Sequence, residues 1–436
     1  MDVVSRHVVS IPMWLQNRCH NRLRHASAGM IAGAGFRPRA KRVRVNGCRA
    51  TLLVIVMERP PTPLGTHGAA PLERLPEEWA EVLGSWGEPK YRGAQVFEWI
   101  HKRGVSDPEQ MTNLSKELRQ RLALDGVRPA IVSHEVQESA DTTRKFLLHL
   151  RDRQAIESVL IPGKLKDNPH PSPPVNKLTQ CVSSQVGCAM GCVFCASGVA
   201  GLKRNLTAAE IVSQVLFGRS QVRENERLQN LVFMGMGEPL HNYQTLRRAL
   251  TLIAHPKGIN LSLRRITVST SGLVREINQL REDFGGHVLL AVSLHATSDE
   301  KRSRIMPINR KYPIAELMGA LRAYACVPRN RITIEYTLIR GVNDSVAEAD
   351  ELARMLRGIP VKINLIPMNP IAHSELGPPE EAQVAAFQER LRTQHYTVFV
   401  RRRKGDDIDA ACGQLALRGA VPKIRSHGRV HLDLAG

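Results

Sequence analysis

The stretch Cys181-Val-Ser-Ser-Gln-Val-Gly-Cys188-Ala-Met-Gly-Cys192-Val-Phe-Cys195 holds half of the eight cysteines of this 436-residue chain. Cys188, Cys192 and Cys195 stand at C-x3-C-x2-C spacing. Thiolate is the soft ligand of zinc and of iron–sulfur clusters. A structural zinc site is closed by four protein ligands, often two C-x2-C pairs. A compact group of three suits a [4Fe–4S] cluster with one iron left open. A zinc knuckle and buried structural thiols are the plainer alternatives, and both stay open at this point. Cys181 lies seven residues upstream, outside that spacing, and is read as a separate thiol.

Composition bounds the rest. The length allows two or three domains with a sizeable core. The apolar run Ala50 to Met57 falls far short of the ~20 residues that span a bilayer. Clustered cysteines point to a reducing compartment, taken as the cytoplasm, and to a metal rather than a disulfide scaffold. Lys and Arg number 61 against 41 Asp and Glu, a formal charge of +20. Such an excess favours a polyanionic partner, nucleic acid first. Residues 1–56 carry ten Lys/Arg and only Asp2, hence +9, which leaves +11 for the rest of the chain.

In chain order, residues 1–70 read as a basic, disordered extension ending in Pro60-Pro61-Thr62-Pro63. A targeting peptide and an RNA-contacting arm share this composition. The reading ranked first is a true start at Met57, and Cys19 and Cys48 receive no role. Residues 75–127 read as a small helical domain, with helices from Pro76 through Leu83, from Tyr91 to Lys102 and from Ser115 to Leu124. Residues 128–177 read as a strand hairpin, Lys145–Leu150 and Ala155–Ile161, followed by a Pro-rich loop from Gly163 to Lys177. Residues 178–415 alternate strand and helix six times. The strands are expected near Leu178–Val186, Leu231–Met236, Arg265–Ser269, Val288–Ala296, Ile332–Ile339 and Val361–Pro367, with a last one at Tyr396–Arg401. Repeated βα units argue an α/β fold on a parallel sheet. In barrels of this kind the chemistry lies at the C-terminal ends of the strands. Residues 416–436 form a basic tail, and Cys326 reads as helix core.

Polar motifs fall at those strand ends. The second strand runs into Phe233-Met-Gly235-Met-Gly237-Glu238-Pro239, where glycine lets backbone approach a ligand. The third ends in Ser269-Thr270-Ser271-Gly272, the fourth in Ser293-Leu294-His295, the sixth in Met368-Asn369-Pro370. Taken singly, each is adequately explained by local hydrogen bonding. Together they outline one ligand pocket on one rim. Beyond the barrel, Gly405-Asp-Asp-Ile-Asp-Ala-Ala-Cys412-Gly-Gln places a cysteine in a segment too polar for a core strand.

The three-cysteine spacing, with Phe194 before the last cysteine, resembles the radical S-adenosylmethionine (SAM) signature. With Gly-Glu-Pro, Cys-Val-Ser-Ser-Gln-Val-Gly-Cys, Asn205-Leu-Thr and the Cys412 segment, the chain resembles the RlmN/Cfr family of radical SAM RNA methyltransferases from about residue 75 to 415. The resemblance implies a partial (βα)6 barrel. It implies that Cys188, Cys192 and Cys195 hold a [4Fe–4S] cluster. Gly237, Glu238, Ser269, Ser293, Leu294, His295 and Asn369 match SAM-binding positions. Cys412 matches the cysteine methylated during the reaction, Cys181 the second catalytic thiol that forms a disulfide with it, and Glu157 the proton acceptor.

The same resemblance implies methylation of carbon 2 of an adenine in 23S rRNA and in some tRNAs, with two SAM molecules per turnover. Carbon 2 of adenine is electron-poor and no nucleophile, so direct transfer from the sulfonium has no reasonable path. Flavodoxin is the implied reductant, and a monomer is the expected state. An accessible adenine in a loop or single strand is required. The Gly163–Lys177 loop is longer than the family's, which bears first on the Glu157 assignment. Two rival readings remain: a Cfr-like enzyme acting at carbon 8, and a metal-stabilised RNA-binding protein without catalysis.

Overall fold

The computed structural model describes residues 37–44 and 51–58 as backbone, and 69–163, 175–324, 330–369, 376–401, 405–411 and 413–415. The chain divides into two units, Met1–Gly68 and Ala69–Gly436. In the first, strands β1 (Arg37–Arg44) and β2 (Thr51–Glu58) pair antiparallel, with Arg37 opposite Glu58 and Arg44 opposite Thr51. No regular element is expected there from periodicity. The run Leu-Leu-Val-Ile-Val is rich in β-branched residues, which favour extended backbone when a partner strand is present. The rest of the expected extension, with Cys19 and Cys48, lies outside the described residues, as do Cys326, Cys412 and the 416–436 tail.

The second unit opens with helices α1 (Pro76–Ser85), α2 (Tyr91–His101) and α3 (Lys116–Asp125). Pro76 stands at the first turn of α1 with Glu77 and Glu78 behind it, both favourable at a helix start. The Ser115 hydroxyl accepts from the Leu118 N–H to cap α3, and Gly126, at φ 99°, closes it in the left-handed conformation. Trp79, Leu83, Val96, Phe97, Ile100 and Leu122 are buried where the apolar faces meet.

The remaining elements are β3 (Ile131–Glu138), β4 (Arg144–Leu150), β5 (Ala155–Pro162), β6 (Asn176–Cys181), β7 (Gln185–Gly187), α4 (Ala196–Ala200), β8 (Leu202–Asn205), α5 (Ala208–Ser220), β9 (Glu226–Phe233), α6 (Tyr243–Ala254), β10 (Ile266–Thr270), α7 (Val274–Phe284), β11 (Leu289–Ser293), α8 (Asp299–Ile305), α9 (Ile314–Tyr324), β12 (Ile332–Leu338), α10 (Val346–Met355), β13 (Val361–Pro367), α11 (Glu381–Thr393) and β14 (Val398–Val400). A ten-stranded sheet runs in the order β14-β13-β12-β11-β10-β9-β6-β5-β4-β3. From β6 to β14 every pairing is parallel, while β5, β4 and β3 continue the same sheet as an antiparallel meander. The sheet does not close, so the architecture is a partial (βα)6 barrel. No helix among the described residues is long and apolar enough to cross a membrane.

Register sorts the side chains. Leu147 pairs Glu157, Val159 pairs Cys181, Cys181 pairs Val232, Ser293 pairs Glu335 and Glu335 pairs Asn364. Because side chains alternate along a strand and register partners share a face, Lys145, Glu157, Cys181, Ser269, Ser293, Glu335 and Asn364 all lie on one face. The opposite face carries Phe146, Leu148, Ile156, Leu231, Val268, Leu290, Ile334 and Ile363, all essentially fully buried. Phe146 meets Phe217 of α5 and Tyr336 meets Phe387 of α11, which identifies that apolar face as the one the helices cover. The polar face is the barrel interior.

One expected strand is two. The run Leu178–Val186 breaks after Cys181, and β7 leaves the sheet to pair with β8. Side chains take over the ladder there: the Ser183 N–H donates to Gln214 Oε1 at 2.9 Å, and the Ser183 hydroxyl donates to the Glu157 carbonyl at 2.7 Å. The expected strand Val288–Ala296 likewise stops at Ser293, because His295 adopts φ 59°.

Candidate active site

The three-cysteine stretch forms the loop between β7 and α4, and two glycines shape it. Gly187 has φ 77°, and a Cβ there would lie 1.9 Å from the Gly201 carbonyl oxygen. That contact lets the Cys188 N–H donate to the same carbonyl at 3.1 Å. A Cβ on Gly198 would lie 2.9 Å from the backbone of Cys192, so only glycine lets α4 pack under the loop. The Val193 N–H donates to the Ile305 carbonyl and anchors the loop to α8.

The cysteines line one pocket with Gly237, Glu238, Ser269, Ser293 and His295. Burial pushes the Cys188 thiol up to about 12, and its neighbours Cys195 and Glu238 push it further the same way. Burial likewise raises Cys192 well above the ordinary thiol value. Such thiols become thiolates only beside a strong local cation. Among the described residues, no three His, Cys, Asp or Glu side chains converge closely enough to ligate one metal ion. Three thiols lining one pocket form a soft donor set that fits a [4Fe–4S] cluster with one iron left for a ligand.

Glu238 is fully buried. Its Oε1 accepts from the Leu240 N–H at 3.0 Å, and its Oε2 accepts from the N–H and hydroxyl of Ser271 at 2.7 and 2.8 Å. Burial raises its pKa, and those donors oppose the rise. Gly237, at φ 101°, packs on Gln185, 2.5 Å from where a Cβ would stand. The Gln185 Oε1 accepts from the Glu238 N–H at 2.8 Å. The Gly-Glu turn and the cysteine stretch are therefore built against each other.

His295 is buried, and burial followed by the Arg302 charge lowers its pKa to about 3. Its Nδ1 accepts from the Thr337 N–H at 2.9 Å, so the neutral ring carries its proton on Nε2. Phe194 meets this ring edge-on at 4.7 Å. Arg302, which the motifs do not single out, is completely buried. Its guanidinium donates to the carbonyls of Leu294, Ser271 and Ser293 and to Asn309 Oδ1, at 2.6 to 3.0 Å. It pins the ends of β10 and β11, and so the serines on them, in one arrangement.

The C-terminal segment arrives at the same loop. The Ala196 N–H donates to the Gly413 carbonyl at 2.8 Å, and the Ser197 hydroxyl donates to the Leu415 carbonyl at 2.5 Å. Gly413 lines the pocket. At the other end of the segment, Asp407 accepts from the Ser139 hydroxyl and the Ala140 N–H. Cys412 itself lies outside the described residues; Gly413, which follows it, belongs to this contact.

Four expected site residues do not line the pocket. Cys181 ends β6, and Glu157 on β5 lies 3.6 Å from Lys145 Nζ, both of that pair buried. They share the interior face with Ser269 and Ser293 but sit further along the sheet. Leu294 is buried behind the rim, its N–H donating to the Glu335 carbonyl. Asn369 follows β13 and is buried. Glu335 and Arg401 line the pocket unannounced by any motif. The one signal was an acid inside the apolar, β-branched run Ile332-Thr-Ile-Glu335-Tyr-Thr-Leu. A larger cleft of about 500 Å³, bounded by Lys102, Arg103, His134 and Arg219, lies elsewhere and holds no cysteine.

Comparison with known proteins agrees with this geometry. Residues 182–354 match the Radical SAM superfamily, and residues 75–125 match the ribosomal RNA large subunit methyltransferase N-terminal domain. The chain is 56% identical over 378 residues to the dual-specificity RNA methyltransferase RlmN of Sorangium cellulosum, covering 81% of this chain and 97% of that one. It is 46% identical to the protein of that name from Geobacter sulfurreducens, covering 81% and 92%. The crystal structure of a radical SAM methyltransferase from Sphaerobacter thermophilus superposes with TM-score 0.71 at 43% identity, covering 79% of this chain and 98% of that one. With 56% identity across 97% of one relative, both family models matched and the fold superposed, the chain belongs to the RlmN family of radical SAM RNA methyltransferases.

Proposed function

We propose that this protein methylates carbon 2 of an adenine in RNA, with 23S rRNA and tRNA as substrates. The observation that carries the reading is the docking of Gly413 and Leu415 on α4, which holds the Cys412 segment against the loop of Cys188, Cys192 and Cys195. Those three thiols would hold the [4Fe–4S] cluster. When bound, the cluster supplies the electron that cleaves SAM reductively. Glu238, in a ring of donors that keeps it oriented, receives the ammonium of SAM. Ser269, Ser293 and the Nε2–H of His295 present hydroxyl and imidazole donors to the rest of it, and Asn369, buried just after β13, backs the pocket rather than lining it.

Cys412 is the nucleophile that takes a methyl group from the SAM sulfonium, since thiolate is competent where carbon 2 is not. Glu157 accepts the proton that leaves carbon 2, with Lys145 holding its carboxylate in place. Once the carbon borne by Cys412 is joined to carbon 2, Cys181 attacks the Cys412 sulfur: the S–S bond forms as the S–C bond to the base breaks, and the electron pair of that bond, with a proton, ends in the methyl group of the freed adenine. The relatives carry the RlmN name and not that of Cfr, which supports the carbon-2 reading over carbon 8. We further infer a flavodoxin-type reductant, a monomeric state and a cytoplasmic location.

The test is anaerobic reconstitution with iron and sulfide, then incubation with SAM and a 23S rRNA fragment. Mass mapping should find 2-methyladenosine. Finding 8-methyladenosine would assign the Cfr-like reaction instead, and a zinc-loaded, colourless protein indifferent to loss of Cys412 would assign no catalysis.

A further inference from the structure

Glu335 sits in the middle of β12, its side chain on the interior face, directly between Ser293 of β11 and Asn364 of β13 in register. It is 4% exposed and lines the cysteine pocket. One carboxylate oxygen is spoken for: Oε1 accepts from Asn364 Nδ2 at 3.0 Å. The other, Oε2, has no hydrogen-bond partner among the described residues. Arg401 Nη1 stands 3.8 Å from it, beyond hydrogen-bonding range. Burial raises the pKa of Glu335, while Arg401, Asn364 and Lys362 draw it back. A buried carboxylate oxygen without a donor is costly, and natural structures keep such atoms where a ligand supplies the donor.

The place of Glu335 restricts that ligand. The same pocket is lined by the cysteines and Glu238 and, from β12, β13 and the residue after β14, by Glu335, Ile366 and Arg401. Glu335 on β12 lies two strand spacings, about 10 Å, across from Ser269 on β10 and two residues further along the strand. A ligand anchored by its amino-acid head at Glu238 would bring its sugar to Glu335. An oxygen that accepts from Arg401 and donates to Glu335 Oε2 supplies the donor that Oε2 lacks, which a hydroxyl does and an ammonium or a phosphate does not. A nucleotide inside an RNA chain offers a single sugar hydroxyl, its 3′ oxygen being esterified. A free adenosyl compound offers two adjacent ones.

We propose that Glu335 and Arg401 clamp the ribose of the adenosyl ligand, Oε2 of Glu335 accepting from a hydroxyl whose oxygen accepts from Arg401. The proposal rests on the SAM-site reading above, and its test separates the two. The probes are S-adenosylhomocysteine and its 2′,3′-dideoxy analogue, which bind without being cleaved. Their dissociation constants are measured on the anaerobic, cluster-loaded wild type, Glu335→Gln and Arg401→Gln, without RNA. Wild type should bind the diol-bearing probe roughly tenfold to a hundredfold more tightly than the dideoxy one, the value of a hydrogen bond to a charged group. Glu335→Gln should lose most of that discrimination while keeping its iron content and visible absorbance. Arg401→Gln, at the more exposed end, should lose part of it and guards against Glu335→Gln failing to fold. A wild type that binds neither probe would overturn the SAM site itself. A wild type that binds both probes equally, or variants that keep full discrimination, would overturn the clamp alone. Unchanged probe binding with a raised KM for RNA would turn Glu335 toward the substrate base and equally overturn it.

Discussion

Ser197, the second residue of α4, donates its hydroxyl to the carbonyl of Leu415 at 2.5 Å, across 218 residues of chain. This bond fastens the segment containing Cys412 to the residues that follow Cys195. Replacing Ser197 with alanine removes a buried hydrogen bond worth about 1 kcal/mol, so the docked population of the segment should fall about fivefold relative to the undocked one. The cluster ligands are untouched. The variant should therefore hold full iron, methylate RNA severalfold more slowly and be cut more readily by protease between 401 and 415. Loss of iron in step with activity would show that the bond supports the loop rather than the segment.

Cys181→Ala should separate the last step from the earlier ones. The three pocket cysteines and Cys412 remain, so the protein should assemble its cluster and still attack adenine. It lacks the thiol that releases the product. A covalent protein–RNA adduct through Cys412 should accumulate and survive denaturing gels. Cys412→Ala should abolish the adduct, and the double variant should behave like Cys412→Ala alone. Iron loss on Cys181→Ala would reassign Cys181 as a cluster ligand.

His101 of α2 is fully buried between the helical domain and the loop after α6, stacked on Phe97. Burial first, then the charges of His255 and Arg248, lower its pKa from 6.5 to about 3, and the nearby Leu72 backbone opposes the fall. Above pH 6.5 the ring is neutral folded and unfolded, and contributes no pH dependence. Below that value the unfolded chain takes up a proton that the native state refuses, so stability falls as pH drops toward 3. The slope is about 1.4 kcal/mol per pH unit for this group. His295, lowered to about 3 in the same direction, adds a second such slope. Urea unfolding of the holoenzyme at pH 7 and pH 5 should show His101→Leu losing markedly less stability than wild type. Parallel pH profiles would exclude His101 as a source.

Residues 1–68 form a unit of their own, and a chain begun at Met57 should retain both cluster content and methylation. Without residues 1–56 the protein still carries +11, so its RNA affinity should fall steadily with rising salt as counterions are released. A large loss of activity on truncation, or a flat salt dependence, would assign the RNA-binding charge to the segment removed.

What the chain announced by itself was whatever depends on neighbours in sequence. The spacing of Cys188, Cys192 and Cys195, the Gly237-Glu238 turn and the strand from Val361 to Pro367 rest on local geometry, and periodicity or spacing reads them directly. The positive φ of Gly237 and the close approach of Gly187 to Gly201 explain why glycine stands there. Other features depend on register and on contacts between distant residues, and these the tertiary structure decided. The break of the first barrel strand after Cys181 comes from Ser183 bonding to Gln214 and Glu157. Arg302 is one charge among many in Asp299–Ile305 until its three strand-end carbonyls are in view. Glu335 becomes a pocket residue only because the parallel register sets it beside Ser293. A one-residue slip would turn it to the helix-covered face, and nothing in its own strand forbids that slip except the packing of the whole sheet.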